Sequence, residues 1–194
     1  MVLSNVEIHK ALDDGRLVID PEPTPRTPTS GNPDCPYDTT SVDLRLGSTL
    51  SIPNSGSYAY DLRNPGIAPF LSQNCTHIQI NPTGGFTLNT NQFVLGETLE
   101  RLGLPIKPDL PTLAARIEGK SSFARCGLLV HFTAPTIHAG FDGKLTLEMI
   151  LLGNNKMVLV PGMKICQLIV EEVKGTPFPN PSQFQGQTSP AGVP

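Results

Sequence analysis

The chain has little of several things, and each shortage excludes a class of protein. It has no tryptophan, and charged residues make up only 16% of its 194 positions. Lys and Arg (14) do not outnumber Asp and Glu (17), and the formal net charge is −3. A broad basic surface for a nucleic-acid polymer is therefore not predicted. Any anion that the chain binds must sit in a local pocket.

Long apolar runs are also missing. No stretch approaches the roughly 20 apolar residues that a helix needs to cross a bilayer. The N-terminus lacks the basic segment and apolar core of a secretory signal. We therefore expect no membrane association and a cytoplasmic location.

The four cysteines show no pattern of a shared site. Cys35, Cys75, Cys126 and Cys166 are widely spaced, and we expect reduced thiols because disulfides are rare in the cytosol. Cys75 and His77 are the nearest approach to a metal-binding pair, but no second pair matches them. A structural zinc site is not predicted.

Turn-forming residues, by contrast, are abundant: the chain has 20 prolines and 18 glycines. Its length fits one domain over residues 1–194. Short apolar runs separated by Gly, Pro or Asn favour a mainly β fold, a sandwich or a barrel. The predicted strands are 41–46, 77–80, 93–95, 128–132, 145–151, 157–160 and 164–170.

A short N-terminal helix is the clearest helical pattern. Ser4 and Glu7 form a capping box, the apolar residues that follow share one helical face, and Gly15 is placed to end the helix. Residues 21–37 are rich in Pro, Thr and Ser, and they predict a long loop.

The run 144–151 predicts a strand with two different faces. Leu145, Leu147, Met149 and Leu151 alternate onto a core face, which leaves Glu148 on the opposite face. A carboxylate in a cleft there would need a partner, for which Arg125 is the candidate. The alternative is a solvated glutamate on an exposed strand face.

A second cluster precedes that strand. Lys120, Ser121, Ser122 and Arg125 supply the cationic and hydroxyl donors that a polyphosphate needs. Together with a carboxylate that could move protons, they suggest chemistry on a nucleotide. A turn with a solvated lysine is the alternative, because a short motif alone is weak evidence.

These residues also carry a resemblance. The runs G-K-S-S-F-A-R-C-G-L, H-F-T-A, G-F-D-G-K-L-T-L-E and P-G-M-K-I-C-Q-L resemble the dCTP deaminase branch of the trimeric dUTPase-like superfamily. T-S-V-D-L-R-L-G and Q-F-Q-G-Q are similar as well. Apart from 21–37 and parts of 52–76, the resemblance covers most of the chain.

The resemblance implies a distorted β-barrel or jelly roll of the dUTPase-like type, with a short N-terminal helix and a homotrimeric assembly whose sites lie between subunits. It implies hydrolytic deamination of dCTP to dUTP and ammonia in pyrimidine deoxynucleotide synthesis. Mg²⁺ would be bound through the triphosphate, and dTTP could act as a feedback inhibitor. Zinc is not implied, and the zinc deaminase signature H-x-E with P-C-x-x-C is absent.

The resemblance also assigns site residues. Glu148 matches the catalytic glutamate, with Arg125 and Ser121 orienting it. Ala134 would hold the pyrimidine through its backbone, and Phe141 would pack against the deoxyribose. The C-terminal arm, 175–194, would close over the site. The remaining substrate-binding positions are Lys120, Ser122, Thr136, His138, Gln167, Gln183 and Gln187.

Three positions depart from the family pattern. His138 stands where the hairpin usually has the aspartate with which dUTPases hold the attacking water. Thr136 and Gln183 replace an arginine and a lysine that are frequent there. Two alternatives stay open: a bifunctional enzyme that forms dUMP and pyrophosphate, and a non-catalytic nucleotide-binding regulatory homologue.

Overall fold

A computed structural model of the chain describes residues 1–30, 34–56, 59–63, 66–180 and 182–192. The fold is mainly β. In the described part of the chain the helices are α1 (Asn5–Asp13), α2 (Ile67–Gln73) and α3 (Ser121–Arg125). The strands are β1 (Val18–Asp20), β2 (Val42–Pro53), β3 (Cys75–Gln79), β4 (Phe86–Leu88), β5 (Phe93–Gly103), β6 (Leu113–Gly119), β7 (Leu128–Leu129), β8 (Thr136–Ile137), β9 (Asp142–Leu151), β10 (Met157–Leu159) and β11 (Lys164–Glu172).

One large sheet organises the molecule. Its strand order is β7-β9-β5-β2-β11-β6-β8, with β1 added to β5 and β3 added to β2. The long strand β2 pairs with β11 at its start and with β5 and β3 further along, and its register against β5 shifts between Leu46 and Leu50. Such irregularities bend strands, and the sheet curls into a half-barrel around the apolar core. The fold class predicted from the resemblance is confirmed.

The strand β9 forms as its alternation predicts. Leu145, Leu147, Met149 and Leu151 are buried, and the residues between them are half-buried. Every predicted strand overlaps an observed one. Helix α1 is also confirmed: the Ser4 hydroxyl accepts a hydrogen bond from the Glu7 backbone amide, and Gly15 follows the helix with a φ of 65°.

The sequence analysis was wrong at one motif and incomplete elsewhere. Residues 119–122, taken as a turn, are the last residue of β6, the N-cap residue Lys120 and the first two residues of the short helix α3. It also missed α2 and the strand β6. In β6, Arg116 and Glu118 alternate with apolar residues whose burial depends on the pairing of β6 with β11.

The proline-rich loop 21–37 has little regular structure in its described residues. Arg26 joins it to α1 through Asp13, at 2.7 Å, and also contacts Glu22 within the loop at 2.6 Å. Of the four cysteines, none is in a disulfide. The described helices include none long and apolar enough to cross a membrane.

Candidate active site

A cavity of about 820 Å³ opens over the outer face of β9. The hairpin that contains β8 forms one wall, and the C-terminal segment forms another. Most of the lining is apolar, with Phe93, Leu95 and Ile117 among its residues, while Glu148 and His131 bring ionisable groups. A deep, mainly apolar cavity with few polar groups is the usual form of a small-molecule site.

Glu148 reaches this cavity because β9 alternates. Its neighbours Leu147 and Met149 are fully buried in the core, whereas the Glu148 side chain is 32% exposed. Across the sheet it pairs with Leu95 of β5, another cavity residue. The prediction that Glu148 occupies a cleft rather than a fully solvated strand face is therefore met by its position.

The side chain that meets Glu148 is His131. Its Nδ1 lies 2.7 Å from the Glu148 Oε2 atom, although the ring N–H is not well directed for a hydrogen bond. The nearby Glu148 carboxylate raises the pKa of His131, the Ala134 backbone acts in the same direction, and burial opposes them. The pair thus forms a close ionic contact when His131 is protonated.

The expected partner of Glu148, Arg125, lies elsewhere. It is exposed at the end of α3 and lines a separate cavity of about 530 Å³, next to the connection between β9 and β10. No ion pair joins Arg125 to Glu148 within the described part of the chain. Strand β7 explains the separation, because it pairs with β9 at Leu151 and carries α3 to the far end of that strand.

The rest of the cationic cluster stays with Arg125. Ser121 and Ser122 are exposed in α3, and Lys120 forms an ion pair with the buried carboxylate of Asp43 on β2. Gln167 lies on β11 outside the large cavity, where its amide donates to Asp38 at 2.9 Å and to Ser41 at 3.3 Å. Within one chain, therefore, the residues predicted to bind phosphate lie apart from Glu148.

The hairpin residues are placed beside Glu148. Ala134, Thr136, His138 and Phe141 all line the large cavity. Pairing of β8 with β6 fixes one side of the hairpin, and the Gly140 amide donates to the Leu104 carbonyl at 2.7 Å on the other side. Gly140 has a φ of 86°, so this turn favours glycine.

The C-terminal segment docks on the edge of β9. The Gly186 amide donates to the Asp142 carbonyl, and the Lys144 amide donates to the Gln187 carbonyl. The Gln187 side chain is buried and donates to the Lys144 carbonyl at 2.6 Å. Gln187 lines the cavity, whereas Gln183 is exposed and does not.

His131 is the residue that sequence reasoning missed. It stood inside the quoted motif H-F-T-A but received no role. The pairing Leu129↔Ile150, continued by two residues on each chain, puts His131 opposite Glu148. The contact between His131 and Glu148 could be found only once the register between β7 and β9 was known.

Comparison with known proteins gives a consistent result. A family model described as dCTP deaminase-like matches residues 2–173. The dCTP deaminase of Haloarcula marismortui is 34% identical over 197 residues, which cover 98% of this chain and 92% of the relative. A relative from Mycobacterium sp. (strain KMS), named dCTP deaminase, dUMP-forming, is 37% identical over 199 residues, with 98% and 93% covered.

Among solved structures, the 2′-deoxycytidine 5′-triphosphate deaminase from Agrobacterium tumefaciens matches with a TM-score of 0.61 and 21% identity. The match covers 87% of this chain but 47% of the solved one, so this chain spans about half the length of that protein. At this identity the likeness concerns the fold.

Proposed function

We propose, from the premise that the chain belongs to the dCTP deaminase-like family, that it deaminates dCTP to dUTP and ammonia. The observation that carries the proposal is the position of Glu148, a half-buried carboxylate in an apolar cavity opposite the hairpin 134–141. The reaction would supply dUTP for pyrimidine deoxynucleotide synthesis in the cytoplasm.

In the proposed reaction a water molecule attacks C4 of cytosine. Glu148 takes a proton from the water as general base and delivers it to N3 of the ring. Glu148 then carries the proton of the new C4 hydroxyl to the amino group; the C4–N bond breaks, the hydroxyl oxygen becomes the C4 carbonyl and ammonia departs. Glu148 and the hairpin line one cavity, which supports the assignment of both transfers to this single carboxylate.

Substrate selection would rest on the hairpin. The Ala134 backbone would bind the pyrimidine edge, and the ring of Phe141 would pack against the sugar and leave little space for a 2′-hydroxyl. Both residues line the cavity that contains Glu148, which supports this assignment. Thr136, His138 and Gln187 line the same cavity and would complete the walls around the substrate.

The triphosphate would be held by a second chain. Lys120, Ser121, Ser122 and Arg125 are suited to phosphate oxygens, yet they lie apart from the large cavity in one chain. In a homotrimer, α3 of one subunit would complete the cavity of its neighbour and bring Arg125 and Ser121 to Glu148. Gln167 and Gln183 would join the phosphate contacts.

Mg²⁺ would bind through the substrate, because triphosphate oxygens are the hard ligands that this ion prefers. Its charge would offset that of the phosphates. No zinc is required in this scheme, because Glu148 activates the water. A nucleotide with the same triphosphate, such as dTTP, would compete for the site as a feedback inhibitor.

A bifunctional reaction is the second candidate, and the relatives named dUMP-forming favour it. Splitting the triphosphate needs a water aligned with the α-phosphorus. His138 occupies the hairpin position where an aspartate would hold that water, and it faces the cavity. An imidazole lacks the negative charge and the second oxygen of a carboxylate, so we favour release of dUTP.

One assay tests these alternatives. The full-length protein is incubated with dCTP and Mg²⁺, and ammonia, dUTP, dUMP and pyrophosphate are measured. We expect ammonia and dUTP in equal amounts, with no loss of activity after removal of zinc. Equal amounts of dUMP and pyrophosphate would establish the bifunctional reaction, and binding of dCTP without ammonia would indicate a regulatory homologue.

A further inference from the structure

We propose that His131 is a positioning residue that holds Glu148 in the orientation needed for proton transfer. The inference rests on the proposed deamination and adds a residue to its machinery. His131 would act through Glu148 and need not touch the substrate. Nothing in the family match assigns it this role; the geometry of β7 and β9 does.

The juxtaposition is built into the sheet. Strand β7 pairs with β9 through Leu128↔Leu151 and Leu129↔Ile150, and the chain then continues beside β9. Val130 is buried in the core, so the next side chain points to the opposite face, where Glu148 lies. The His131 side chain is 10% exposed, and its Nδ1 is 2.7 Å from Oε2 of Glu148.

The surroundings make such a partner necessary. A carboxylate that faces apolar residues such as Phe93 and Leu95 loses part of its hydration, so a cation or a donor beside it is favourable. A protonated His131 supplies the compensating charge at contact distance, where the low dielectric strengthens it.

Two acidic groups face the imidazole. Glu148 on β9 raises the pKa of His131 most, and Glu118 on β6 adds a weaker contribution in the same direction. The ring therefore retains its proton to a higher pH than an ordinary histidine, whose usual pKa is 6.5. As the pH rises through the raised pKa, the imidazolium is lost and Glu148 loses its cationic neighbour.

The test compares two substitutions in the full-length protein. His131→Asn keeps an N–H donor close to the position of Nδ1 but cannot carry charge, and His131→Phe keeps a ring without a donor. We expect kcat for dCTP to fall by about 10- to 100-fold in the Asn variant, part of the 10²–10⁴ typical of acid–base assistance. We expect a larger fall in the Phe variant, with KM changed by less than about threefold in the Asn variant.

The pH profile separates positioning from a structural role. Wild-type kcat should decline on the alkaline side as His131 deprotonates, and that limb should be missing from the Asn variant. His77→Asn is the matched control, because His77 contacts Ser51 on β2 and does not line the cavity. The control should retain the wild-type profile. Equal kcat and an unchanged alkaline limb in the His131→Asn variant would overturn the proposal.

A second measurement does not depend on turnover. The ring proton of His131 is followed by NMR across a pH titration, in the wild type and in the Glu148→Gln variant, with His131→Asn used for assignment. We expect the pKa of His131 to fall when Glu148 is neutralised. An unchanged pKa would refute the ionic coupling, whereas a wild-type protein that forms no ammonia would refute the proposed function and the positioning role with it.

Discussion

The large cavity and the helix α3 differ in how one chain builds them. The cavity lies on the long strand β9, whose alternate residues are fixed in the core, and its polar pair is half-buried. Helix α3 has only five residues, none of them buried, and Arg125 and both serines face outward. The cavity is framed by packed strands of the chain itself, and α3 presents Arg125 to whatever lies beside it.

This difference matches the two tasks of the proposed reaction. Proton transfer needs a carboxylate held in a fixed position in a poorly hydrated space, because electrostatic interactions are stronger there. A triphosphate needs cations and hydroxyl donors that can be reached from solvent. Under the proposed trimer, a carboxylate and phosphate-binding residues from neighbouring stretches of the sequence would meet across an interface between subunits.

Loss of the carboxylate should have the largest effect. We predict that Glu148→Gln lowers kcat for dCTP deamination by about 10²–10⁴-fold, because the amide keeps the shape of the side chain but cannot act as a base. Binding of dCTP, measured by calorimetry, should stay within about threefold, since the charge lost is not needed to hold the substrate.

Glu172→Gln is the matched control. Glu172 lies at the exposed end of β11, outside the cavity, and its backbone forms hydrogen bonds with Met1. The Glu172→Gln variant should have the same kcat as the wild type. Near wild-type turnover by Glu148→Gln would refute the mechanism.

The second prediction tests whether the two regions meet across subunits. Arg125→Ala should be inactive, as is expected of Glu148→Gln. The reason is that Arg125 would orient both the Glu148 carboxylate and the substrate phosphates in the site of a neighbouring subunit. When both variants are mixed by co-refolding, an intact site can form where a Glu148→Gln chain, which keeps Arg125, meets an Arg125→Ala chain, which keeps Glu148. About a quarter of the sites in randomly mixed trimers should then be active.

Sedimentation of the wild-type protein accompanies this experiment and should give a trimer. Mixing Glu148→Gln with a Glu148→Ala variant is the control, because no combination restores the carboxylate. Failure of the Arg125 mixture to regain activity, with trimers present, would mean that each chain builds its own site.

Local patterns were sufficient to predict most of the fold. The capping box at Ser4 and the alternation around Glu148 depend on neighbours in sequence, and both are confirmed. Strand β6 was missed because the burial of its apolar residues depends on β11, a partner distant in the chain. Ala115 and Ile117, for example, are buried where β6 pairs with β11, whereas Arg116 and Glu118, which alternate with them, stay more exposed.

The candidate site could be predicted where a single residue stands out in the sequence, and could not where two distant segments meet. Glu148 stands out because a carboxylate interrupts an apolar strand. His131 does not, since only the β7–β9 register brings it within 2.7 Å. The hydrogen bond from the Gln187 side chain to the Lys144 carbonyl likewise joins positions 43 residues apart, and no local sequence pattern predicts it.

The smallest expected effect concerns a second carboxylate on the same sheet face as Glu148. Glu97 of β5 pairs across the sheet with Thr146, and its Oε1 atom lies 3.1 Å from the Lys144 Nζ. The Glu97 side chain is 5% exposed. Burial raises its pKa above the usual 4.5, and Lys144 only partly offsets this. The folded protein therefore binds a proton at Glu97 at a pH where the unfolded chain has released it.

The sign of the pH effect follows from that difference. As the pH rises from about 4.5 through the raised pKa, the unfolded state has fewer protons bound than the folded state, and Glu97 makes the protein progressively less stable. Glu97→Gln removes this titration while keeping the side-chain shape. We predict that Tm of the variant, relative to the wild type, increases across this pH window by a few degrees. Turnover should be unchanged, in contrast to Glu148→Gln. Thermal unfolding from pH 4 to pH 8 measures the difference, with Glu172→Gln as the control, and parallel Tm curves for Glu97→Gln and wild type would contradict it.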